Sequence, residues 1–217
     1  INGLCQTHFP EYKQARYGRH YLNLRQLIVL LIDLNRGYQL ESSVGLIFVQ
    51  NSQLFRRNQL QMKIIFLVVG KTNESWINEG MNEYEKRLKH YASFSVEVIP
   101  DIKVGKRNED ELKRMEGEAI LKFLEPSDKV ILLDENGRQH GSRQFSNELQ
   151  KWMNASPKRL VFIVGGAFGF AKDVSDRAES ALSLSKMTFT HQMIRPFFVE
   201  QLYRAFTILK GEKYHND

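Results

Sequence analysis

A chain of 217 residues with a formal net charge of +6 is long enough for one domain plus an appendage, and it can bury a core without disulfide or metal staples. Its single cysteine, Cys5, excludes an internal disulfide and fits a reducing, cytoplasmic setting. No run of about 18 apolar residues and no basic-then-apolar leader is present, so neither a membrane span nor a secretory signal is expected.

The basic balance is compatible with a polyanionic partner without requiring one. Residues 1–61 hold 7 Lys/Arg against 3 Asp/Glu, are rich in Asn and Gln and show little periodicity. Their most structured-looking stretch is Leu24–Leu34 (LRQLIVLLIDL), a short apolar helix or strand. Two readings stay open for 1–61: sequence foreign to the native fold, such as translated upstream sequence or a gene-model artefact, or a basic arm that helps hold RNA.

From Met62 the pattern changes. Lys63–Val69 (KIIFLVV) is a continuous apolar run ended by Gly70, which suits a strand buried on both faces of a parallel sheet. Glu74–His90 spaces Trp76, Ile77, Met81, Tyr84 and Leu88 as a helix does. Ser95–Ile99 predicts a second strand, and Lys103–Asn108 a basic loop. Asn108–Leu124 reads as a charged amphipathic helix, and Lys129–Leu133 (KVILL) as the third strand. Ser142–Met153 predicts a helix with Ser142 as N-cap. Leu160–Val164 (LVFIV) is the fourth strand, followed by Gly165-Gly166. Lys172–Ser180 reads as a short helix, and a fifth strand is expected within Leu182–Phe189. Ile194–Lys210 is a long amphipathic helix in which Pro196 is tolerable only in the first turn.

Strands alternating with helices argue for an α/β fold with a mainly parallel sheet flanked by helices, whose ligands bind beyond the carboxyl ends of the strands. Three segments follow strand ends: Leu133–Gly137, Gly165–Phe170 and Leu184–Phe189. The glycine pair lets backbone approach a ligand. It is neither a phosphate-binding Walker loop nor a dinucleotide fingerprint, so a ligand here is held by main-chain groups at its base and sugar. Lys186 interrupts an alternating strand and on spacing alone reads as a strand-end lysine. His191 and Arg195 are four apart near the start of the last helix, where two cationic groups make better sense beside an anion. Tyr214-His215 lie in a terminal tail, a place usually disordered. No metal-ligand spacing is present.

Taken together, Met62–Gly70 (MKIIFLVVG), Glu83–Leu88 (EYEKRL), Glu116-Gly117, Val130–Gly137 (VILLDENG), Phe162–Gly169 (FIVGGAFG), Leu182–Gln192 (LSLSKMTFTHQ), Glu200–Ala205 (EQLYRA) and Lys213–His215 (KYH) closely resemble the ribosomal RNA large subunit methyltransferase H family of the SPOUT superfamily. The resemblance covers 62–217 and none of 1–61. It implies a C-terminal trefoil knot, a homodimer whose sites borrow from the partner chain, and S-adenosylmethionine as methyl donor. It places Leu133, Gly165 and Leu184, Ser185, Lys186, Met187, Thr188 and Phe189 at the donor, and His191, Arg195, Tyr214 and His215 near the RNA face. Asn216-Asp217 depart from the basic or polar residue that often follows Tyr-His in the family.

The resemblance further implies methylation of N3 of a pseudouridine in 23S ribosomal RNA of the large subunit. His191 then stands as candidate base and Arg195 as a holder of phosphate or developing negative charge. Lys103, Lys106, Arg107, Arg138, Arg143, Lys158, Arg159 and Lys213 are candidate RNA contacts. So small a surface predicts that an assembled ribosomal particle is preferred to free RNA. Three other readings are weaker: a non-catalytic ribosome-binding factor, a transfer-RNA methyltransferase, and a generic nucleotide-binding domain.

Overall fold

The computed structural model describes residues 62–102 and 108–216. Leu24–Leu34, Cys5 and the basic residues Lys103, Lys106 and Arg107 lie outside them. Five strands, β1 (Lys63–Val69), β2 (Ser93–Ile99), β3 (Lys129–Gln139), β4 (Arg159–Val164) and β5 (Ser180–Ser183), form one sheet in the order β2-β1-β4-β3-β5, with every neighbouring pair parallel. Five helices connect them: α1 (Ser75–Leu88), α2 (Glu109–Phe123), α3 (Ser142–Asn154), α4 (Lys172–Arg177) and α5 (Ile194–Lys210).

The apolar runs become central strands because both sheet faces are covered. On one face Ile64, Phe66, Val68, Ile131, Leu133, Leu160, Phe162 and Val164 meet α1, α3 and α5. There Phe198 of α5 sits with ring centroids 4.8 Å from both Phe66 and Phe162. On the other face Ile65, Leu67, Val69, Val130, Leu132, Val161 and Ile163 meet Ile120 of α2 and Val174 of α4. Strands buried on both sides need no polar alternation, which is why these runs read as uninterrupted.

Several expected boundaries move, each for a local reason. The helix 142–154 is capped by Gly141, not Ser142; the Gly141 N–H donates to Gln144 Oε1 at 3.0 Å, leaving Ser142 inside the first turn. Asn108 caps α2, its side chain accepting from the Asp110 N–H at 3.1 Å. The third strand does not stop at Leu133. After an irregularity over 134–137 it resumes pairing, Arg138 with Leu182 and Gln139 with Ser183. That return depends on Gly137, where a Cβ would stand 2.7 Å from the backbone of Ala181 and Leu182. The fifth strand ends at Ser183, so Leu184–Phe189 is a loop and Lys186 is an exposed loop residue, not part of an alternating strand. Pro196 occupies the first turn of α5, as its missing N–H requires.

The tail after α5 is packed, not loose. Tyr214 donates its hydroxyl to Glu200 Oε1 at 2.9 Å, and its ring meets Tyr203 edge-on at 4.8 Å. Burial raises the Tyr214 phenol well above its ordinary value, so it stays protonated. No helix among the described residues is long and apolar enough to cross a membrane.

Candidate active site

At the carboxyl ends of β3, β4 and β5 lies a cleft of about 710 Å³. Its walls are three stretches: Leu133–Asn136, Val164–Phe170 and Leu182–Ser185 continuing through Met187–His191. All three segments singled out after the strand ends therefore converge. They meet because β4 lies between β1 and β3 while β5 lies on the far side of β3. The ends of β4, β3 and β5 stand side by side although separated in sequence.

Local chemistry shapes each wall. The 184–190 loop is folded on itself: Ser183 Oγ donates to Ser185 O at 2.8 Å, and the Met187 N–H donates to Ser185 Oγ at 2.9 Å. Thr188 Oγ1 donates to Glu135 Oε2 at 2.7 Å, which ties this loop to the irregular part of β3 across the cleft. The glycine pair after β4 is needed for closeness. A Cβ on Gly166 would stand 2.6 Å from Glu116 Oε1, so only glycine fits against that carboxylate.

Of the residues expected at the donor, Leu133, Gly165, Leu184, Ser185, Met187, Thr188 and Phe189 line the cleft, whereas Lys186 does not. His191 lines it too and is half-buried. Burial, reinforced by the Arg195 charge, pushes its imidazole below the ordinary value despite Asp101, so it is neutral at pH 7 and able to accept a proton. His191 precedes α5 and so does not share a helical face with Arg195.

Arg195 departs from the expected role most sharply. It is fully buried, and its guanidinium turns inward. Nε donates to His191 O at 2.9 Å, one Nη to Gly70 O at 3.0 Å and to Thr72 Oγ1 at 2.8 Å, the other to Val69 O at 2.7 Å. Fully buried and engaged with these four oxygens, the guanidinium is not presented to the cleft; it ties the backbone of His191 to the end of β1. Burial lowers its pKa to about 10, which leaves it charged at neutral pH. Gln192 adds a second tie, its Nε2 donating to Lys71 O at 2.9 Å.

Tyr214 and His215 are not on the cleft wall of their own chain; Arg204 reaches His215 Nδ1 at 3.5 Å and stacks on Tyr214 at 4.8 Å. Arg159 is also committed elsewhere. It opens β4 at the amino edge of the sheet, opposite the cleft, and is ion-paired with Glu125 at 2.5 Å and the buried Asp128 at 3.0 Å. Lys158 shares that edge, while Arg138, Arg143 and Lys213 are exposed. Among the described residues no group of three His, Cys, Asp or Glu side chains is placed to hold a metal ion.

One residue stands out that spacing did not single out for chemistry. Glu116 is 7% exposed, and its Oε2 has no hydrogen-bond partner among the described residues. Burial, and then the negative charge of Asp101, raise its pKa. An acidic residue midway along a charged helix reads as a solvated face, and only the packing of α2 against the glycine pair reveals otherwise.

A parallel α/β sheet with a cleft at its carboxyl edge, lined by the segments that follow three strands, defines the class of protein. Residues 62–215 match the family model described as a predicted SPOUT methyltransferase. The ribosomal RNA large subunit methyltransferase H of Parabacteroides distasonis is 54% identical over 157 residues, covering 72% of this chain and 100% of that one. Those of Christiangramia forsetii and Porphyromonas gingivalis are 51% and 50% identical, covering 71% and 72% of this chain and 99% and 100% of theirs. The chain belongs to the SPOUT methyltransferases and, among them, to the ribosomal RNA large subunit methyltransferase H family.

Proposed function

We propose that the protein transfers a methyl group from S-adenosylmethionine to N3 of a pseudouridine in 23S ribosomal RNA, acting in the cytoplasm as a homodimer on the large subunit or assembled ribosome. The observation that carries this reading is the meeting of the three strand-end segments in one cleft, lined by the glycine pair and by Leu133, Leu182 and Leu184 among others. A nucleoside suits such walls, since apolar side chains cover its base while main-chain groups meet its polar edges. The catalytic domain in this reading is 62–217, with 1–61 a basic extension, and the trefoil threading implied by the family belongs to the same proposal.

S-adenosylmethionine, when bound, supplies an electrophilic methyl on a sulfonium. Leu133, Gly165 and the 184–189 loop hold it; Ser185 and Thr188 act by fixing that loop. The acceptor nitrogen must lose a proton, and neutral His191 on the cleft wall is the group placed to take it. Arg195 keeps His191 in position without touching RNA. Tyr214 and His215, off their own cleft, reach a site only across a dimer. The exposed Trp76 and Phe197, in the first turns of the mutually packed helices α1 and α5, are suited to that contact. The small basic surface favours an assembled particle as substrate.

The test is mass spectrometry of 23S ribosomal RNA from cells lacking the gene, complemented with the wild type or with His191→Ala. The N3-methyl mark is expected to vanish, to return with the wild type, and to fall by about a hundredfold in initial rate with the variant. A mark that persists without the gene would overturn the function; full activity of the variant would overturn the base.

A further inference from the structure

Burying a carboxylate without a donor is costly, and such groups are rare unless a ligand completes them. Glu116 is in that state, more than nine-tenths buried with Oε2 unpartnered among the described residues. Its position is not incidental to the cleft. The carboxylate lies against Gly166, a cleft-lining glycine whose missing side chain leaves the carboxylate room. One turn earlier on the same helix, Lys113 lines the cleft and makes no ion pair among the described residues. Residues three apart on a helix share a face. The α2 face at this wall thus carries, one turn apart, a cation on the cleft lining and a buried carboxylate packed against the cleft-lining Gly166.

We propose that Glu116 and Lys113 clamp the amino-acid end of the methyl donor, Glu116 accepting from its α-ammonium group and Lys113 donating to its α-carboxylate. The proposal rests on the reading that this cleft holds S-adenosylmethionine. The order of the pair follows from burial: the orphaned Oε2 needs a donor, while the half-exposed Lys113 can meet a carboxylate that stays partly hydrated. Gly166 serves the clamp by lacking the Cβ that would collide with the Glu116 carboxylate.

Two ligands isolate the effect. S-adenosylhomocysteine carries the amino-acid end but no sulfonium charge, and 5′-methylthioadenosine lacks the amino-acid end. Calorimetric titration of the full chain is expected to show the first binding at least about tenfold more tightly than the second, the scale of a charge-assisted hydrogen bond. Glu116→Gln should weaken S-adenosylhomocysteine about tenfold and leave 5′-methylthioadenosine unchanged, which also reports an intact fold. Lys113→Ala should give a smaller loss, about threefold, again confined to the first ligand. Equal weakening of both ligands by Glu116→Gln would assign the residue to propping the glycine pair and overturn the clamp. Weakening of S-adenosylmethionine alone would assign it to the sulfonium and overturn it as well. A wild-type chain that binds neither S-adenosylmethionine nor S-adenosylhomocysteine would sink the reading of the cleft itself.

Discussion

Two charged side chains are buried near the carboxyl edge of the same sheet, one on each face, and they are built in opposite ways. On the face covered by α1, α3 and α5, Arg195 meets four oxygen acceptors, and the aromatic cluster around Phe66, Phe162 and Phe198 packs on the same side. On the face covered by α2 and α4, Glu116 has an oxygen with no partner among the described residues. A buried charge with its hydrogen bonds complete is architecture, because removing it strands several groups at once. A buried charge left incomplete is a cost borne by the fold, and such costs concentrate where a ligand is to be met.

The strongest way to break this contrast is Arg195→Ala. It strands Val69 O and Gly70 O and frees the backbone of His191, so a loss of about 3 kcal/mol or more in chemical denaturation is expected. Arg195→Lys should recover little, since one ammonium cannot meet the four acceptors of a planar fork. Stability within about 1 kcal/mol of wild type for both variants would show that Arg195 is not the structural partner of this edge.

Glu116→Gln sharpens the contrast from the other face, with a smaller effect of opposite sign. Because the folded-state pKa of Glu116 is raised, the native chain binds more protons than the unfolded one over the window above the ordinary carboxylate value, and stability falls as pH rises through it. At pH 7, above the ordinary carboxylate value, the penalty is present, so the variant should melt higher, by roughly 2–4 °C, with the gain vanishing below about pH 4. A lower melting temperature at pH 7 would mean that the carboxylate stabilises the free protein.

His191 gives the smallest change. Its folded-state pKa is depressed, so its contribution is present above the ordinary histidine value and is lost as pH falls. His191→Gln should flatten the decline in melting temperature below about pH 6.5 by roughly 1–2 °C. Part of the decline should remain, because His140 is also depressed by burial and by Arg138. An unchanged pH profile would mean that His191 is more solvated than its place on the cleft wall implies.

Much of this was legible in the chain itself. Apolar runs at 63–69, 129–133 and 160–164 announce strands buried on both sides, since only covered faces tolerate such continuity. Glycine after a strand announces close approach of backbone, and Gly165-Gly166 is where that approach occurs. Ser142 failed as a cap because Gly141 could take the position with Gln144 closing on its N–H. The fifth strand was placed too late because alternation in LSLSKMTF fits a strand and a self-bonded loop equally, and the hydroxyls of Ser183 and Ser185 decide for the loop.

Local pattern therefore determined the elements, their alternation and the three segments at their ends, because periodicity and turn chemistry act between residues close in sequence. Tertiary structure decided which groups are charged architecture and which are open chemistry. Arg195 and Glu116 look alike in sequence, each a charged residue on an amphipathic helix. Their difference is a count of hydrogen-bond partners contributed by strands and loops far along the chain, a quantity that exists only after the sheet has closed.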